Sequence, residues 1–137
     1  MFFLCSQQAI LVPSGPVSDP EKLHLHVVLT APYPNADRVE SVALVSFASV
    51  DPDLPYDNTC LVNPGPGVHS FIKHSSFVDY HRATIIEAEK LRRGIAAKKL
   101  FWRDSLSDEL FLRVTTGLCT SIHTPPTVLA FYWAAKG

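Results

Sequence analysis

Nine of the eleven prolines fall in the first 66 residues, at Pro13, Pro16, Pro20, Pro32, Pro34, Pro52, Pro55, Pro64 and Pro66. Each removes a backbone donor and crowds the preceding turn of a helix. No long helix therefore fits before Ser75, and short strands joined by turns are expected. The apolar pattern agrees. Ala9 to Val12 is a short apolar run closed by Pro13 to Pro16, an edge strand or a loop anchor. Leu23 to Thr30 opens with strict alternation and ends β-branched, which predicts a strand with one buried face, more deeply buried toward its end. After the turn cluster Ala31 to Asp37, Val42 to Val50 reads as a central strand and Asn58 to Val62 as a shorter one.

Beyond the Pro/Gly run Asn63 to Gly67 the pattern changes. A strand is expected at about 80–88, followed by a basic turn or short helical piece over Lys90 to Lys99. Leu106, Leu110, Val114 and Leu118 recur every fourth residue, the spacing of one buried helix stripe. Ser105 or Ser107 can cap that helix, with Asp108 and Glu109 in its first turn. Gly117 lowers helix propensity and predicts an end near there. Thr124 and Pro125 read as cap and first position of a last helix docked by Val128, Leu129, Tyr132 and Trp133. Strands first and helices last is an α+β order: a small, strongly bent sheet or barrel with two C-terminal helices over one face or end. A single domain is expected over residues 1–137, with a loosely structured segment at 1–21, the sheet core at 22–88 and the helices at 105–135.

The 137 residues suit one compact domain, since a chain of about 150 residues buries roughly 68–70% of its unfolded surface. A net charge of −1 gives no global field toward nucleic acid or membrane. Half of the twelve Lys and Arg nonetheless cluster, as Lys90, Arg92, Arg93, Lys98, Lys99 and Arg103. Such a run is a solvated face or a surface for phosphate or a partner protein. Cys5, Cys60 and Cys119 are odd in number and far apart, which argues for free thiols rather than a disulfide framework. The apolar start, Met1 to Cys5, is short and has no basic flank. No stretch is long enough for a membrane span. A soluble, cytoplasmic protein is expected.

The segment His69 to Arg82 carries most of the chemistry. It holds His69, His74, Lys73, Arg82, Asp79 and Tyr80 among Phe71 and Phe77, directly after the Pro/Gly run. Metal-free RNA cleavage needs a base for the 2′-hydroxyl, an acid for the leaving oxygen and a cation for the phosphorane. His69 and His74 are the candidate base and acid. Arg82 or Lys73 is the candidate phosphate holder, Asp79 the candidate orienting carboxylate, and Phe71, Phe77 or Tyr80 a candidate stacking ring. Each also has a plainer reading: His69 and His74 as loop-corner hydrogen-bonders, Asp79 and Arg82 as a local ion pair, Phe77 and Tyr80 as core. Cys60 with His69 and His74 lacks a fourth ligand for structural zinc, although His24 and His26 share a strand face and could supply one. Cys60 paired with His74 would need a lowered thiol pKa, against its apolar strand. No metal or cofactor is expected.

Taken in order, Leu25 to Thr30, Val42 to Ser49, Asn58 to Gly65 and His69 to Ala83 resemble a branch of the PemK/MazF-like proteins over residues 22–133. That resemblance implies an SH3-like β-barrel, a possible homodimer, metal-independent cleavage of single-stranded RNA and an antitoxin partner. It implies that Val27 to Leu29 and Val42 to Ser49 are the second and third core strands, and that Ser49 matches the Ser/Thr ending the latter. The toxins' Arg-Pro has no counterpart in Lys22 to His26, and their opening Gly-Asp is absent. The alternative is a non-catalytic module of the same shape, binding nucleic acid or a partner protein through Lys90, Arg92, Arg93, Lys98 and Lys99.

Overall fold

The computed structural model describes residues 3–15 and 18–137. Met1, Phe2, Pro16 and Val17 lie outside the described residues, and with them parts of the expected apolar start and the Pro13–Pro16 turn. The elements run β1 (Ala9–Pro13), β2 (Leu23–Val28), β3 (Tyr33–Pro34), β4 (Glu40–Ser49), β5 (Leu61–Val62), β6 (Ser76–Glu87), α1 (Ala88–Ala96), β7 (Phe101–Arg103), α2 (Asp108–Thr120) and α3 (Pro126–Lys136). All described strand pairings are antiparallel, in the order β5-β6-β4-β2-β1-β7, with β3 beside β4. The sheet curls into a half-barrel whose edges, β5 and β7, are not paired with each other. The α+β class stands, with a third helix, α1, where a basic turn or short helical piece was expected.

Period-two alternation explains how the sheet carries a core on both faces. Ala9 and Leu11, Leu25 and Val27, and Ala43, Val45 and Phe47 point to the larger core, which α2 and α3 close with Leu110, Val114, Leu118, Val128, Phe131 and Tyr132. Ile10, Val28, Val42 and Leu44 point the other way and meet Ala88 and Leu91 of α1. β1 therefore lies inside the sheet, between β2 and β7, with Ala9 and Ile10 fully buried. The expectation of a loose segment over residues 1–21 is corrected at this strand, because its apolar alternation serves both cores.

The long β6 bends in mid-course. Leu44 pairs with Thr84 and Ser46 with Asp79, so Tyr80 to Ala83 stand opposite Val45 alone. A bulge of this kind raises local twist and curls a sheet. Tyr80 is carried fully into the larger core, where its hydroxyl donates to the Val114 carbonyl at 2.8 Å. This contact explains Gly117. A Cβ there would overlap the Tyr80 hydroxyl. The glycine makes room for the ring and does not end the helix, which continues to Thr120. Ser107 caps α2 as expected, its hydroxyl oxygen accepting from the Leu110 N–H at 3.2 Å. The last helix starts one residue later than expected, with Pro125 as cap and Pro126 first, while the Thr124 hydroxyl donates to the Leu118 carbonyl at 2.7 Å. Phe131 rather than Trp133 is its buried aromatic beside Tyr132.

Candidate functional site

β2 and β4 pair over His26–Val28 and Leu44–Ser46, extended at one end by the Leu29 N–H, which donates to the Ala43 carbonyl at 2.8 Å. Beyond that ladder they part. Leu23 to Leu25 continue along β1, and Phe47 to Ser49 continue along β6. The gap opens a groove of about 420 Å³, and the loop before β6 forms its far wall. Lys22 and His24 line one side, Ser49 the other, and Phe71, Lys73 and His74 the loop side. Two cations, two imidazoles, a hydroxyl and an exposed phenyl ring thus converge from three chain segments. Such a set suits an anion carried on a planar or apolar body.

His24 is the best-defined group of the groove. Its Nδ1 lies 2.9 Å from the Ser14 hydroxyl, which itself donates to the Val12 carbonyl at 3.2 Å. With that hydroxyl proton on Val12, the ring proton sits on Nδ1 and Nε2 keeps its lone pair. Burial holds the imidazole below the usual histidine range, and the charges of Lys22 and Arg82 push the same way against the pull of Asp79. His24 is thus a neutral acceptor near neutral pH. Its neighbour His26 is more deeply placed, and burial lowers its pKa to about 4 against the weaker pull of the His24 carbonyl, 3.1 Å from its Nδ1.

The residues singled out from the sequence separate into four places. Ser49, Lys73 and His74 meet in the groove. His69 does not join them. Its Nδ1 accepts from the Phe71 N–H at 3.1 Å, so Nε2 carries the proton and donates to the Asp104 carbonyl at 2.8 Å. Both nitrogens are spent on pinning the loop to the chain after β7, so the base assigned to His69 does not fit. Asp79 and Arg82 form an open ion pair at 3.9 Å on β6, with the Arg82 side chain 70% exposed. Of the basic run, Arg92 bridges Glu40 at 2.9 Å and Glu89 at 3.6 Å, and Lys90 lies 3.9 Å from Glu87. Arg93, Lys98 and Lys99 are exposed at and beyond the end of α1. Lys22 and His24 lie outside the His69 to Arg82 segment that carries the sequence motif. The alternation Leu23-His24-Leu25-His26 was the available signal, since it sets both imidazoles on the face opposite the larger core.

Other features carry less chemistry. Burial raises the Cys60 thiol above its usual range, which removes it as a nucleophile. Among the described residues no cluster of three or more His, Cys, Asp or Glu is arranged to hold a metal, and no helix is long and apolar enough to cross a membrane. A cavity of about 470 Å³ between the N-terminal loop, α2 and α3 has its charged groups engaged. Asp108 accepts from the Gln7 amide at 2.7 Å, and Lys136 lies over the Tyr132 and Trp133 rings. Compared with known protein families, curated proteins and solved structures, the chain matches none of them.

Proposed function

We propose that the protein binds single-stranded RNA, with the phosphate backbone held in the groove between β2, the end of β4 and the loop before β6. The observation that carries this reading is the convergence of Lys22, Lys73, His24, His74 and Ser49 around one opening, with Phe71 exposed beside them. Cations neutralise phosphates, the Ser49 hydroxyl and the His74 imidazole N–H donate to their oxygens, and an exposed ring stacks on any base. The groove is preferred over the α1 surface because glutamates already pair with Arg92 and Lys90. Fluorescence anisotropy with labelled single-stranded RNA in EDTA tests it. Binding should weaken as salt rises, and Lys22→Ala and Lys73→Ala should each lower affinity about 5–10-fold and reduce the salt slope by about one. Affinity independent of salt, or unchanged in both variants, would remove this reading.

The neutral His24 favours a second step, metal-independent endoribonuclease activity of the toxin type. The Nε2 lone pair of His24 takes the 2′-hydroxyl proton, and the 2′-oxygen attacks phosphorus. The bond to the 5′-oxygen breaks, and His74 protonates that leaving oxygen. The products are a 2′,3′-cyclic phosphate and a 5′-hydroxyl, and Lys22 and Lys73 face the charge of the phosphorane. Cutting in EDTA that is lost in His24→Gln and in His74→Ala, with RNA binding retained, is the expected result. Binding without cutting by the wild-type protein would leave a binding module. The toxin reading adds a homodimer and an antitoxin partner, and sedimentation at micromolar concentration tests the dimer.

A further inference from the structure

A second concavity adjoins the groove across the β4–β6 ladder. Ala48 and Ser49, which line the groove, pair with Phe77 and Ser76. Phe77 opens onto a separate cleft of about 320 Å³, together with Tyr56, Asp57, Asp79, His81 and His123. Paired strands lie about 4.8 Å apart, so the two spaces sit within roughly one nucleotide of each other. His24, on the groove side, already feels the charges of Asp79 and Arg82.

The cleft has a stacking wall. Tyr56 and Phe77 lie 5.5 Å apart between ring centres at 33°, and Tyr56 is 40% exposed. It also has two carboxylates in different states. Asp57 is used by the fold. It accepts from the Ser121 hydroxyl at 2.6 Å and from the Thr59 N–H at 2.9 Å, tying the 57–59 turn to the end of α2. Burial alone would raise its pKa, but those hydrogen bonds and nearby His123 bring it below the usual range. Asp79 is the available one. Its side chain is only 21% exposed, and its ion pair with Arg82, at 3.9 Å, is too long to be a hydrogen bond. A half-buried carboxylate is an acceptor with about four lone-pair sites. One beside an aromatic wall is suited to a planar ring that presents N–H donors.

We propose that this cleft takes one nucleobase of the bound strand and selects guanine. This rests on the RNA-binding reading above. Guanine is the one RNA base with two adjacent donors on its pairing edge, N1–H and the 2-amino group, and these match the two oxygens of Asp79. Uracil presents a single N–H between two carbonyls, which a carboxylate repels. His81 and His123 stand on the cleft's rim as donors for the guanine O6 and N7 acceptors, and Tyr56 and Phe77 supply the stack.

The test uses two labelled hexaribonucleotides, six uridines and the same strand with one central guanosine, read by anisotropy in EDTA at low salt. The guanosine strand should bind about tenfold tighter, the scale of one good two-point base contact. Asp79→Asn should remove the preference by weakening the guanosine strand and not the uridine strand, because its amide N–H opposes the guanine donors and no longer repels the uracil carbonyls. Arg82→Ala should keep the preference, and Tyr56→Ala should lower affinity for both strands. Circular dichroism confirms that each variant is folded. Equal affinity of the wild type for both strands, or a full preference surviving Asp79→Asn, overturns the guanine cleft and leaves the groove standing. Binding of neither strand overturns both.

Discussion

The same three strands build two different surfaces on one face of the sheet. Toward one end, Val28 of β2 and Val42 and Leu44 of β4 lie under α1 and pack on Ala88 and Leu91. Toward the other end, His26 pairs with Ser46, and Ser46 pairs with Asp79, in one polar row across β2, β4 and β6. The change comes within two residues of β4, from Leu44 to Ser46, at the irregularity that bends β6. A strand keeps its facing by period two whether or not anything covers it. What differs is the cover. α1 closes one half, while the other half ends in the gap between β2 and β4, where polar side chains meet both solvent and each other. On the opposite face α2 and α3 close most of the larger core, and its Leu25, Phe47 and Ile72 reach the groove only at the same end.

That contrast predicts unequal losses on truncating fully buried leucines. Leu118 of α2 sits at the centre of the larger core and Leu91 of α1 in the smaller one, and both are 0% exposed. Leu118→Ala should cost about 4 kcal/mol, and Leu91→Ala about 2–3 kcal/mol, because a nine-residue helix beside an open half can settle into the space. Equal losses in urea titrations would mean that the two halves are equally constrained.

The polar half should also set the acid limit of stability. His26 binds its proton near pH 4 in the fold and near its ordinary 6.5 when unfolded. The unfolded chain therefore holds more protons between those values. Stability is full above pH 6.5, falls as pH drops toward 4, and loses no more to this group below that. The loss is on the order of 3 kcal/mol, at about 1.4 kcal/mol per tenfold change in proton affinity. His24 contributes in the same direction. Thermal melts from pH 7.5 to 3.5 should show this slope in the wild type and a shallower one in His26→Gln. An unchanged slope would place the acid sensitivity elsewhere.

The elements were legible where one periodicity ruled. Leu106, Leu110, Val114 and Leu118 are all buried, the last three on α2 and Leu106 just before its cap, and β2 and β4 lie where alternation set them. Reading stopped where a residue answers to a distant partner. Gly117 reads locally as a helix end, and only Tyr80, brought in by a bend in another strand, shows it as a contact. The same holds for the site. Ser49, Lys73 and His74 were visible as chemistry, but their meeting with Lys22 and His24 depends on where β2 leaves β4, which no local pattern records. His69 shows the converse: of its two readings the plainer one holds, since the Phe71 N–H and the Asp104 carbonyl, 35 positions away, take both ring nitrogens for structure.

Gly117 offers a sharper probe of the closed face. Alanine there gains up to about 1 kcal/mol in helix propensity, yet its Cβ would overlap the Tyr80 hydroxyl. The overlap should win, with a net loss of about 2 kcal/mol in the range typical of overpacked cores. The same change in a Tyr80→Phe background should cost less, since the clashing oxygen is gone. Strict additivity of the two substitutions in denaturant titrations would show that the ring does not depend on the glycine.

The smallest effect belongs to the open half. Asp79 and Arg82 stand 3.9 Å apart, with the arginine side chain mostly in solvent. An exposed pair of that length loses much of its Coulomb attraction to water and salt, and costs side-chain freedom to hold. A double-mutant cycle with Asp79→Asn and Arg82→Ala should give a coupling below about 1 kcal/mol, vanishing in high salt. By contrast Tyr80, next to Asp79 in sequence but facing the closed core, loses a buried hydrogen bond to Val114 when changed to Phe, worth about 1 kcal/mol or more and insensitive to salt. Adjacent residues of one strand should thus differ in salt response as the two faces differ in cover. A salt-resistant coupling of Asp79 to Arg82 above 1 kcal/mol would mean that the pair is structural, and would withdraw Asp79 from the groups free to meet a base.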